Sequence, residues 1–173
     1  MKHNVDFNVV LLLFFGLGSI LLVSTNDMYP PPLSTTLLND SEGRHGDLLV
    51  SMSIEKIDGR RFQNGFIITL ILRNEGSESY SLDLRQPVFD VYIYNADGSL
   101  VADWSSCYEM LDLPIPIHLE KGGEFTEIKS WEANVLDPLD GTVKPLPPGR
   151  YYLKGVWLGR PLIKTGLISV DIV

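Results

Sequence analysis

From residue 47 onward, apolar and polar side chains alternate in short bursts. Leu48, Val50, Met52 and Ile54 take turns with Leu49, Ser51, Ser53 and Glu55, and Phe66, Ile68, Leu70 and Leu72 repeat the period of two. That period sends successive side chains to opposite faces of a strand, so each burst reads as a strand with one buried face. Further bursts cover Ser79–Leu84, Val88–Asn95, Ser99–Trp104, Glu124–Glu132, Arg150–Leu158 and Ile163–Ile172, each bounded by Gly, Pro, Asn or Asp. NADG at Asn95–Gly98 predicts a tight hairpin, and EKGGE at Glu120–Glu124 predicts another. In LPPGRYYLKG, Pro147 and Pro148 delay pairing to Arg150, after which Tyr151, Leu153 and Trp157 point inward. About eight short antiparallel strands must hide one apolar face each, and two packed sheets are the simplest solution. The fold expected is all-β, an immunoglobulin-like antiparallel β-sandwich, with a barrel as the second option.

The first residues follow a different rule. Phe7 to Val23 is an apolar run behind a polar start carrying Lys2 and His3. As a helix it would measure about 25 Å, just short of a bilayer core of about 30 Å. Its layout is that of a secretory signal or signal anchor. The flank VSTNDMYPPP lacks the small-x-small pattern of a cleavage site, which favours an uncleaved anchor. Lys2 lies before the run and the next basic residue is Arg44, which puts the amino terminus in the cytoplasm and the remainder outside. Residues 1–25 therefore read as a signal anchor or transmembrane helix, with secretion as the outcome if the signal is cleaved. Residues 26–46, rich in Pro, Ser, Thr, Asn and Asp, read as an extended linker, and residues 47–173 as the β domain. Asn39, Asp40 and Ser41 form an N-x-S sequon, making Asn39 a candidate glycosylation site.

Charge and cysteine content narrow the chemistry. A formal net charge of −8 argues against nucleic acid as a partner. The single cysteine, Cys107, closes no internal disulfide and builds no thiolate metal site, and it reads as a small packing residue. Of the three histidines only His118 lies in the β domain, where a triad would need Ser105 or Cys107 as nucleophile, and no catalytic motif supports one. Asn95, Asp97, Asp137 and Asp140 offer oxygen ligands without a calcium-loop pattern, so turn chemistry accounts for them. Trp104, Trp131 and Trp157 read as packing residues, and Asp90 as a solvated strand residue or an acceptor for a nearby loop. No enzyme, metal or cofactor is expected.

Three blocks in order carry a resemblance to a known family. They are ITLILRNEGSESYSLDL, with Asn74 and Gly76 at its turn; QPVFDVYIYNADGSLVADWS, with Gln86, Phe89, Asp90, Asp97, Gly98, Trp104 and Ser105; and the closing LPPGRYYLKG. Together, over residues 65–158, they resemble the BsuPI family of intracellular proteinase inhibitor domains. The resemblance implies a β-sandwich and a proteinase as protein partner. A rigid convex loop would then enter the proteinase, and Ser105–His118 is the first candidate. In it Tyr108, Met110 and Leu111 face the partner, and Pro114 and Pro116 stiffen the exit. Leu136–Pro148 is the second candidate loop. The alternative is a cell-surface structural or adhesion module without inhibitory activity, suggested by anchor, linker and sandwich.

Overall fold

The computed structural model describes residues 34–58 and 65–173, and the expected signal anchor at residues 1–25 lies outside them. Among the described residues the chain forms thirteen strands, one short 3-10 turn at Ser105–Cys107 and no α-helix. None of the helical structure there is long and apolar enough to cross a membrane. The strands are β1 (Ser34–His45), β2 (Leu48–Asp58), β3 (Phe66–Asn74), β4 (Tyr80–Arg85), β5 (Phe89–Tyr94), β6 (Leu100–Asp103) and β7 (Pro114–Leu119). They continue as β8 (Glu124–Trp131), β9 (Asn134–Leu136), β10 (Val143–Pro145), β11 (Gly149–Trp157), β12 (Ile163–Lys164) and β13 (Ile168–Ile172). All pairings are antiparallel. One sheet runs β1-β2-β3-β8, and a second runs β12-β11-β5-β6 with β13 also paired to β11. β4 with β7 and β9 with β10 make two further ribbons.

The alternation read in the sequence is what builds the core. Val50, Met52 and Ile54 of β2, with Phe66, Ile68, Leu70 and Leu72 of β3, are buried against Phe89, Val91 and Ile93 of β5 and Leu153 and Trp157 of β11. Phe89 bridges the two sheets, stacked on Phe125 of β8 at 6.2 Å and set edge-on to Trp157 at 5.2 Å. The sheets approach tightly at Gly155, where an added Cβ would lie 2.6 Å from Leu70 Cδ2 and 3.2 Å from Met52 Sδ. At one end of the core a buried amide replaces apolar packing. Asn74 Nδ2 donates to the carbonyls of Glu78 and Leu119, while its Oδ1 accepts the Gly76 N–H, tying the end of β3 to the end of β7. Every polar atom of that buried side chain is thereby occupied, which its position requires.

Several expectations change. Ser34–His45, expected inside a linker, is instead a strand hydrogen-bonded along its length to β2, with a bulge between Leu37 and Asn39. It lacks an apolar face because most of its side chains are exposed, so backbone pairing holds it rather than burial. Pro114 and Pro116, expected to stiffen a loop exit, lie in β7 opposite Arg85 and Asp83. NADG does close the β5–β6 hairpin, with Gly98 at φ 86°. EKGGE makes a turn, yet it joins strands of different sheets: β7 pairs with β4, and β8 with β3.

β1 also seals one side of the molecule. Glu42 O accepts the Gly166 N–H at 3.1 Å, and the Ser41 hydroxyl donates to Gly166 O at 3.2 Å, linking β1 to the turn between β12 and β13. Gly43 makes the approach possible, because a Cβ there would stand 1.9 Å from the Lys164 carbonyl oxygen. Since that obstacle is backbone, Gly43→Ala should lower stability by about 1–3 kcal/mol, the usual range for overpacking. Urea unfolding followed by tryptophan fluorescence checks this, and an unchanged midpoint would show that the seam yields freely.

Candidate functional site

The segment leaving β6 is pinned by a carboxylate. Asp90 alternates away from Phe89 and Val91, yet it is buried, because the chain after β6 folds over it. Its Oδ1 accepts the N–H groups of Val91 at 2.8 Å and Ser105 at 3.1 Å. The Ser105 hydroxyl lies 2.8 Å from Asp90 Oδ2 and 3.0 Å from Asp103 Oδ1, with one proton to give. Asp103 Oδ1 also accepts the Ser106 N–H. Of the two sequence readings, Asp90 is thus the loop acceptor. Burial raises its pKa above the ordinary carboxylate value, hydrogen bonds from Ser105 and Val91 oppose that rise, and the Asp103 charge adds to it.

Next along the chain, two aromatic residues fasten this segment to the edge of the other sheet. Trp104 Nε1–H and the Tyr108 hydroxyl both donate to the Ser130 carbonyl of β8, at 3.0 and 3.3 Å. Their rings stack 4.2 Å apart, and Lys129 Nζ sits 4.0 Å from the centre of the Trp104 ring. The Lys129 side chain is only 1% exposed and pairs with Glu127. A buried ammonium needs such compensation, and a carboxylate together with a ring face supplies it. Cys107 beside them is half-buried, with Sγ 3.5 Å from the Asn134 carbonyl, and burial pushes its thiol pKa up. A raised pKa disfavours the reactive thiolate, in keeping with a packing role.

Beyond Tyr108 the backbone extends to Leu113 and is anchored again. Leu113 N–H closes a three-residue turn onto Leu111 O at 2.8 Å, Gln86 N–H reaches Leu113 O, and Asp112 pairs with Arg85. Between these anchors Tyr108, Leu111 and Leu113 are 42%, 48% and 51% exposed, while Met110 is half-buried. Tyr108 and Leu111 are therefore presented outward. Leu113 belongs with them and went unread, since the boundary of β7 was not visible in the sequence.

The remaining candidates fall elsewhere. Asn39 is exposed on β1, its Oδ1 accepting the Asp40 N–H. Asp137 and Asp140, weighed as calcium ligands, both bind the Lys144 ammonium, at 2.7 and 2.5 Å, so a side-chain cation already fills that position. His118 is nowhere near Ser105 in this hydrogen-bond network. Its Nδ1 lies 2.6 Å from Ser81 Oγ, directly across the β4–β7 ribbon, and its Nε2 lies 2.9 Å from Glu120. The imidazole and the carboxylate are more than half exposed, so water competes for each of these bonds. Among the described residues no three His, Cys, Asp or Glu side chains are placed to share a metal ion.

One surface was missed. Tyr92 and Tyr94 of β5 lie opposite Lys154 and Tyr152 of β11, on the face turned from the core. Lys154 and Lys164 place their ammonium groups 5.7 and 5.5 Å from the rings of Tyr94 and Tyr92, and an open groove runs beside Tyr94, Asp97, Tyr152, Lys154 and Leu167. The signal was present in VYIY and RYYLK, whose alternation was read only for its inward residues.

No family model matches the sequence, and no curated protein sequence matches it. Among solved structures, a β-glucosidase from Erythrobacter marinus aligns with 72% of this chain at 16% identity and a TM-score of 0.39. A β-D-glucoside glucohydrolase from Trichoderma reesei aligns with 63% at 17% identity and a TM-score of 0.34. The chain spans 16% and 14% of the length of those two proteins, and superpositions at this level do not equate the folds.

The Asp90 network has a pH signature. Because the folded chain holds the Asp90 proton more tightly than the unfolded chain, the stability it contributes is complete below the unfolded carboxylate value and is lost as pH rises through the raised one. Asp90→Asn keeps an acceptor for both N–H groups and removes the titration. The stability of wild type relative to this variant should fall as pH rises from the ordinary carboxylate range upward, in urea unfolding. A difference that stays flat with pH would contradict it.

Proposed function

We propose that the domain is an immunoglobulin-like β-sandwich that binds a protein partner through residues 108–113, and that proteinase inhibition is the activity of this site. The observation that carries the reading is a pair of leucines, Leu111 and Leu113, half-exposed on a backbone fixed at both ends. Fixing the backbone in advance reduces the entropy lost on binding, which is how a short loop gains affinity. The crossings from β3 to β5, from β6 to β8 and from β8 to β11 support the immunoglobulin-like description. The resemblance of residues 65–158 to the BsuPI family supports a proteinase as partner. The same proposal keeps residues 1–25 as the signal anchor and the β domain outside the cytoplasm.

A second reading, a surface adhesion module without inhibitory activity, is favoured by the tyrosine face of β5 and β11, since tyrosines with ordered cations beside them suit a broad, shallow contact.

Titration of subtilisin-type and chymotrypsin-type serine proteinases with the full chain tests the first reading. Stoichiometric loss of activity is expected. Leu111→Ala and Leu113→Ala should each raise Ki about tenfold at unchanged melting temperature. Tyr108→Ala should weaken inhibition and also cost about 0.5–1.5 kcal/mol of stability, because it removes the stack on Trp104. Full proteinase activity at molar excess of the chain, or equal inhibition by all four proteins, would remove the assignment.

A further inference from the structure

A serine, an imidazole and a carboxylate stand in a hydrogen-bonded row on the β4–β7 ribbon. Ser81 Oγ lies 2.6 Å from His118 Nδ1, and His118 Nε2 lies 2.9 Å from Glu120 Oε1. A carboxylate only accepts, so Glu120 keeps the ring proton on Nε2 and leaves Nδ1 to accept the Ser81 O–H. The row has the order of a nucleophile, its general base and the group that orients the base. Ser81 stands 37 residues from His118 in the chain, and only the pairing of β4 with β7 brings the two together.

Strand register also decides which backbone group lies beside the serine. Pro114 and Pro116, which carry no N–H, lie opposite Arg85 and Asp83, and Gln86 N–H bonds to Leu113 O just beyond them. Hydrogen-bonded and non-hydrogen-bonded pairs alternate along an antiparallel ribbon, so Ser81 and His118 fall on a non-hydrogen-bonded pair, where facing side chains are nearest. At such a position Ser81 N–H turns away from β7, toward the edge of β4 on which no further strand pairs. Among the described residues no carbonyl takes it. An N–H on the nucleophile's own residue is one of the donors that steady the oxyanion formed when a serine attacks a carbonyl. Ser81, Asp83, Pro116, His118 and Glu120 are all exposed, which makes the site open and selects no particular acyl chain. The carboxylates of Asp83 and Glu120 disfavour an anionic substrate, and water competing for each bond restricts the reaction to esters whose leaving group departs readily.

We infer that Ser81 is a nucleophile that hydrolyses uncharged, activated esters such as aryl acetates, an activity of residues that the inhibitor reading does not use. Ser81 Oγ bonds to the acyl carbon while its proton passes to His118 Nδ1, and that proton leaves with the aryl oxygen as the ester bond breaks. Water then attacks the acyl-serine, gives a proton to His118 Nδ1 and releases the carboxylic acid, and His118 returns the proton to Ser81 Oγ. Glu120 touches no reacting atom and is a positioning residue for His118.

The test follows hydrolysis of p-nitrophenyl acetate by the full chain, together with labelling by an alkyl fluorophosphonate located by peptide mass spectrometry, and uses melting temperature as the folding control. Wild type should release nitrophenol with a burst and carry the phosphonyl group on Ser81. Ser81→Ala and His118→Ala should each lower kcat about a hundredfold and lose the label at unchanged melting temperature, a loss at the lower end of what a positioned base contributes. Glu120→Gln keeps an acceptor for the Nε2–H and removes the charge, so kcat should fall about tenfold with KM unchanged, whereas a residue that only braced the ribbon would move melting temperature and leave kcat alone. Three results overturn the inference: hydrolysis by wild type no faster than by Ser81→Ala, equal rates for wild type and His118→Ala, or a label on a residue other than Ser81. An unchanged kcat for Glu120→Gln removes Glu120 from its role. Neither readout involves a proteinase, so the inhibitor reading stands or falls by its own experiment.

Discussion

A carboxylate taken out of water organises the exposed end of this molecule. Asp90 points away from the core, where a strand of this kind would present a solvated side chain, and the chain after β6 closes over it. Burying a carboxylate is costly unless donors surround it, and the donors here are the backbone of Val91 and both donor groups of Ser105. The requirement fixes Ser105 in place. Trp104 is then held over β8, Tyr108 stacks on it, and the direction in which residues 108–113 leave is decided.

The same arrangement deals with an exposed sheet edge. β8 is the last strand of its sheet, and an open edge invites pairing with other chains. Two donors from outside the sheet converge on Ser130 O, so this part of the edge is already occupied. On the opposite side β1 performs a comparable service by joining the β12–β13 turn through Ser41, Glu42 and the bare backbone at Gly43. One edge is covered by aromatic side chains and the other by backbone, which is why one needs Trp and Tyr and the other needs a glycine.

The strands that alternate were legible, and those that do not were hidden. β2, β3, β5, β8 and β11 bury one face and leave the other partly wet, so their sequences announce them. β1 does not, because Ser34–His45 owes its place to pairing with β2. β7 was legible only at its end, where Ile117 and Leu119 flank His118, while Pro114 and Pro116 read as loop until the opposing β4 is seen to pair with them. Tyr108 and Leu111 could be chosen from composition alone, as apolar residues in a segment without period.

The lysine between two aspartates at the β9–β10 apex has a further consequence, for the range of surroundings in which the hairpin keeps its form. Hydrogen bonds from Lys144 hold the carboxyls of Asp137 and Asp140 below their usual pKa, and the two carboxylates hold the ammonium above its own. All three groups stay charged over a wider span of acidity than any of them would alone. The apex thus behaves as a latch that mild acid does not spring.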